Sequence, residues 1–326
     1  MNVNRLQWKF PLLLLAAGIA GGMLVVGCSG KGVRQEAVAT VNGDPVKVGE
    51  LRELLGVPAG VFAVPDLPAE KKKEALDQLV GVRLLAQEGR SLGLDNTPEF
   101  KEILRQNEPL ILVKALVRKE IEGKLKVTNE EIKAEIAKVK KARKGIPNAD
   151  AVTWAVKSVS GSRVRKIEED LLAVAKKETG AAADPAAVPR NGKEDNVSGS
   201  VVPADRDLTM RALAAYARKQ GVDGSDGYKS TREEMERFVL RDMVANDIIA
   251  KNVAVTDKEI EADFAKRTAS LAPAGTKIPA AMVTMLKERI REALRKEKGQ
   301  SVLDAHIDGL RKKAKITVND SVLPKV

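Results

Sequence analysis

RLLAQEGRSLGLD at residues 83–95 returns as RALAAYARKQGVD at 211–223, and KVTNEEIKAEIAK at 126–138 returns as AVTDKEIEADFAK at 254–266. Both pairs are separated by the same 128 positions, and over residues 83–138 that shift gives 17 identities in 56 positions without a gap. The matches include Gly93 with Gly221, Asp95 with Asp223, Thr128 with Thr256 and Glu131 with Glu259. Unrelated helical segments would seldom align turn glycines and T-x-x-E capping boxes in one register, so a helical module is present twice.

The surroundings of the first copy are also helical. Pro68 opens a segment in which Leu76, Leu79, Val82, Leu85 and Ala86 recur at three- and four-residue spacing, giving one apolar and one charged face. Thr97 and Pro98 form a helix start, with the hydroxyl as cap, and Pro109 is expected to kink or divide the helix that follows. Upstream, AVATVNGDPVKVGELRELL places Asn42-Gly43 between apolar pairs, a hairpin turn signal, with a helix beginning near Val48. One or two helices are expected around Trp154 over residues 149–178. At the other end, residues 280–312 carry Met282, Met285, Ile290, Leu294, Leu303 and Ile307 at helical spacing, followed by a β-like tail around Ile316 and Val318. The fold class is therefore mainly α, with a small β element from an N-terminal hairpin and a C-terminal strand.

Composition narrows the chemistry. Only 3% of the 326 residues are aromatic and 31% are charged, so the apolar content is mostly Ala, Leu, Val and Ile, as in helical bundles. One cysteine and one histidine remove disulfide scaffolds, structural zinc sites and any Ser-His or Cys-His mechanism that lacks His306. The formal charge is +11.

Residues 1–27 read as a leader: Arg5 and Lys9 precede an uncharged apolar run that stops at Cys28. Val25, Val26 and Gly27 resemble a bacterial lipobox, which makes Cys28 the expected lipidation site and new N-terminus. The alternative is an uncleaved membrane helix, for which roughly 17 apolar residues with three interrupting glycines is short. Loss of the leader removes two positive charges and leaves +9. A basic exported surface meets anionic headgroups and unfolded envelope proteins, and nucleic acid is not an expected partner.

VATVNGDPVKVGEL, ALDQLVGVRLLAQEGRSLGLD, VTNEEIKAEIAK and the LRKKAKITV ending, in this order, resemble the SurA/PrsA/PpiD-type envelope chaperones and peptidyl-prolyl isomerases. The resemblance covers most of residues 37–138 and 205–319. It implies one chaperone domain, built from the N-terminal helical region and the C-terminal helix with its strand, that holds unfolded or outer-membrane clients. Many members insert a parvulin isomerase domain before the C-terminal helix. Here only RTASLAPAGTKIP stands at that place, too short for a domain of roughly 50 residues, and residues 139–204 lack the histidines and the Gly- and Phe-rich stretch of the parvulin signature.

The expected organisation is a leader (1–27), a tether (28–36), an N-terminal module (37–144), a helical insert (145–180), a Pro- and Gly-rich linker (181–204), the second copy (205–266) and a C-terminal helix and strand (279–319). The second copy is expected to project as a mobile arm, and the two ends of the mature chain to meet.

No catalytic, cofactor-binding or metal residue is assigned, and no cofactor is expected. His306 lies in a helix without a partner motif. The loop with Asp223, Ser225, Gly227 and Glu234 has superficial calcium-loop character but places Tyr228 where an EF-hand needs glycine. The basic runs 138–144 and 311–315 read as solvated helix ends, and Met235, Met243, Met282 and Met285 either line a client groove or belong to the core. The expected function is an envelope lipoprotein holdase, lipid-anchored and facing the periplasm at the outer membrane, with unfolded or partly folded envelope proteins as partners. The alternatives are a peptidyl-prolyl isomerase of the same family with a degenerate or unrecognised catalytic domain and an assembly lipoprotein with one fixed partner.

Overall fold

The computed structural model describes residues 35–58, 61, 67–180, 204–271 and 279–326. The leader, Cys28 and residues 181–203 of the expected linker lie outside the described residues. Nine α-helices and one small sheet are present among the described residues. The helices are α1 (Val48–Leu54), α2 (Ala69–Ser91), α3 (Pro98–Lys124), α4 (Asn129–Ala142), α5 (Asn148–Thr179), α6 (Ala204–Lys219), α7 (Asp226–Asn252), α8 (Asp257–Leu271) and α9 (Ala280–Lys313). None of them is long and apolar enough to cross a membrane.

The sheet joins the ends of the described chain. Strand β1 (Ala37–Val41) pairs antiparallel with β2 (Asp44–Lys47) on one edge and with β3 (Ile316–Val318) on the other. Asn42 and Gly43 take the positive φ that the hairpin turn requires, at 52° and 88°. Asn42 also fixes the entry of β3: its backbone N–H donates to Lys315 O at 2.9 Å, and its side-chain Oδ1 accepts from Lys315 N at 2.8 Å. One face of the sheet packs Val38, Val41 and Val46 onto Leu76, Val80 and Leu84 of α2, and the chain end closes this core with Val322 and Val326. Three strands suffice here because α2 covers their apolar face.

Both copies of the duplicated module have the same local construction. Gly93 and Gly221 adopt left-handed φ of 73° and 63° after α2 and α6, and each leads into a 3-10 turn. Thr97 and Ser225 then cap α3 and α7, accepting from Phe100 N at 3.2 Å and Tyr228 N at 3.1 Å. The capping box forms in both copies: Glu131 takes Thr128 N at 2.9 Å, and Glu259 takes Thr256 N at 2.9 Å. The equivalence extends beyond the aligned residues. Arg163 of α5 donates to Lys126 O and to Glu131, and Lys298 of α9 donates to Ala254 O and pairs with Glu259.

The second copy is not an arm, contrary to the sequence expectation. Helix α2 of the first copy packs on α7 of the second, α6 of the second packs on α3 of the first, and α3 and α7 pack on each other. The buried seams hold Leu85 with Val244 and Ile248, Ala86 with Leu240, and Ile111 and Leu112 with Ala214 and Ala217. The other copy supplies much of the cover for these faces, with Leu171 of α5 and Val302 and Leu303 of α9 adding to it. Pro109 does not divide α3, which runs unbroken around it and forgoes one N–H. Residues 148–179 form a single helix, as do 280–313.

Candidate functional site

An open groove of about 750 Å³ runs between α2, α7 and α9. Its floor is apolar because three amphipathic stripes meet there: Leu79, Val82 and Leu85 from α2, Phe238 from α7, and Leu303 and Ile307 from α9. Leu54, the last residue of α1, stands at one side. Phe238 and Leu54 are large apolar side chains left 36% and 46% exposed, and Arg241 lies over the Phe238 ring at 4.8 Å. Exposed apolar groups lining a concave surface are where an apolar ligand gains most by leaving water.

A second cavity of about 270 Å³ adjoins the groove and shares Leu54, Leu79, Val82 and Phe238 with it. Its inner wall is ionic. Arg83, only 2% exposed, donates to Glu50 at 2.5 Å and to Pro45 O at 3.0 Å, and its Nε lies 3.3 Å from Asp44. Arg237 reaches the other oxygen of Glu50 at 3.4 Å. On the same wall, Glu234 accepts from Lys114 at 3.0 Å and from Arg118 at 3.1 Å, and Arg118 also holds Glu53 at 2.7 Å. Burial raises the Glu50 carboxyl above its ordinary range despite the opposing fields of Arg83 and Arg237. Burial also acts to raise Glu234, but the nearby charges of Arg118 and Lys114 outweigh it and leave that carboxyl below its usual value. The network ties α1, α2, α3 and α7 beneath the groove. The duplication does not repeat it, since Glu234 and Arg237 correspond to Gln106 and Pro109.

Equivalent residues of the two copies also meet around a cavity of about 670 Å³, which Arg90 and Arg218 border together with Glu108 and Glu236. Arg232 lies between the two glutamates, 3.4 Å from Glu108 and 3.1 Å from Glu236, and Tyr228 Oη donates to Glu108 at 2.5 Å.

The residues singled out from sequence occupy other positions. His306 is part-exposed on α9 and donates from Nε2 to Glu88 on α2 at 2.7 Å, a clasp between helices. Asp223 and Ser225 belong to the turn and cap between α6 and α7, while Glu234 points instead into the ion network, so the calcium-loop set does not converge. Among the described residues no three His, Cys, Asp or Glu side chains come together as metal ligands. From the basic runs, Arg143 lies over Trp154 at 4.2 Å and Arg311 bonds Asp77 at 2.8 Å. Met235 and Met243 pack against the Phe100, Leu104 and Leu240 core, whereas Met282 and Met285 are 47% exposed at the start of α9, away from the groove.

The residues that do form the groove were legible only as helical stripes. Val82, Leu303 and Ile307 carry the same periodic signal as buried leucines, and nothing in sequence separates a stripe that is covered from one that is half covered. Comparison with protein-family models, curated proteins and solved structures returns no match to this chain.

Proposed function

We propose that this chain is an envelope lipoprotein chaperone, a holdase that shelters apolar segments of unfolded or partly folded exported proteins, outer-membrane proteins among them, without covalent chemistry. The observation that carries the reading is the open apolar groove, lined by the part-exposed Phe238 and Leu54. Burying roughly 300 Å² of client apolar surface contributes about 7 kcal/mol before ordering costs, which gives binding that is useful and still releasable. The leader and Cys28 support a lipid-anchored protein facing the periplasm, probed by Cys28→Ala: loss of the processed, membrane-bound species is expected, and its persistence overturns the anchor.

Light scattering from two unrelated aggregating proteins tests the holdase reading. The mature chain at stoichiometric ratio is expected to slow both, and Phe238→Asp is expected to lose most of that effect while melting like the parent. Failure of the parent chain to slow either protein, or full activity of the variant, overturns the reading. The same preparation is expected to show no prolyl isomerisation above background.

A further inference from the structure

We propose that the groove prefers apolar segments flanked by lysine or arginine, a statement of client chemistry that rests on the holdase reading. The rim of the groove is acidic. Helix α2 presents Glu70, Glu74 and Asp77 to it, and α9 presents Asp304 and Asp308. Asp77 is already engaged by Arg311 at 2.8 Å. Glu70, Glu74 and Asp308 are exposed and have no ion pair or side-chain hydrogen bond among the described residues, and Asp304 only accepts from Gln300 at 2.8 Å. Against these four carboxylates the rim sets Lys73, because Arg241 is paired with Asp242 at 2.7 Å.

This surplus of negative charge borders an apolar floor in a chain whose formal charge is +11. Such an acidic patch on a basic molecule is a local field of opposite sign, and low-dielectric walls concentrate it at the groove mouth. A segment whose apolar residues enter the floor therefore brings its flanks beside carboxylates, where Lys or Arg is attracted and Asp or Glu repelled. Because the carboxylates are solvated, each contributes little alone, and the preference comes from several acting together.

Three labelled peptides with one apolar core, flanked by lysines, serines or glutamates, are titrated against the mature chain by fluorescence anisotropy. The lysine-flanked peptide is expected to bind about tenfold more tightly than the glutamate-flanked one at low salt, as a few exposed pairs allow. That ratio should shrink between about 0.05 M and 0.5 M salt. In the triple variant Glu74→Gln/Asp304→Asn/Asp308→Asn the ratio should approach one, with an unchanged melting curve and retained binding of the serine-flanked peptide. Equal binding of the three peptides to the parent chain, or a preference indifferent to salt and to the variant, overturns the charge preference and leaves the holdase reading standing. Absence of binding by all three removes the groove reading together with it.

Discussion

Gly89 is buried where α2 meets α7: a Cβ there would stand 3.2 Å from Leu240 Cβ and Cδ2 and 3.3 Å from Val244 Cγ2. Gly89→Ala is expected to cost about 1–3 kcal/mol through overpacking. Gly123, exposed on α3 with nothing within 4 Å of a built Cβ, is the control, and Gly123→Ala should gain up to about 1 kcal/mol of helix propensity. Urea unfolding of the two variants checks both signs. Glu50 supplies a pH test. Its folded carboxyl lies above the ordinary value, so its stabilising share is complete below about pH 4.5 and is lost as pH rises through the raised value. Glu50→Gln should flatten that part of the stability curve, whatever offset it adds by depriving Arg83 of a partner. The two glycine positions differ in a way that sequence alone conceals, since both read as glycines inside amphipathic helices. The duplication itself gives one hint, because Ala217 stands at the position equivalent to Gly89.

Among the elements, the capping boxes were the most legible, because T-x-x-E names both partners within four residues. What sequence did not show is the third partner, Arg163 or Lys298, which arrives from a helix 32 or 39 positions beyond the glutamate. Hydrogen bonds from Arg163 and the Thr128 backbone bring Glu131 down to about 2, and those from Lys298 and the Thr256 backbone do the same for Glu259. Depressed carboxylates stabilise fully above the ordinary value near 4.5 and lose that share as pH falls toward 2. The double variant Glu131→Gln/Glu259→Gln should therefore lose less stability than the parent over this interval, measured by thermal melting at each pH. Thr128→Ala and Thr256→Ala should each cost about 1 kcal/mol and add nearly independently, being caps of separate helices.

For the molecule as a whole, the meeting of the two ends followed from a simple argument: a hairpin near Val38 and a short strand near Ile316 are each too small to stand alone. Deleting residues 314–326 removes β3, Val322 and Val326 from the core and frees Lys72 of its bond to Pro324 O. Broad, non-cooperative unfolding with a lower midpoint is expected by circular dichroism, and a melt unchanged from the parent would show that the core forms without the chain end. The reciprocal packing of the copies was not legible. Periodicity tells that Leu240, Val244 and Ile248 share a face, yet Leu85 and Ala86 are as good a partner for that face as any stripe of the second copy's own helices.

The exchange of helices between the copies also bears on molecularity. If one module existed as a separate chain, the faces that α7 offers to α2 and α3 to α6 would be satisfied only by a second molecule, and its folding would depend on abundance. Joining the copies in one chain turns that encounter into a first-order event, independent of concentration. Each copy then always has its complement at any expression level. Two halves in one chain also need not match themselves, and here one carries Glu234 and Arg237 where the other carries Gln106 and Pro109.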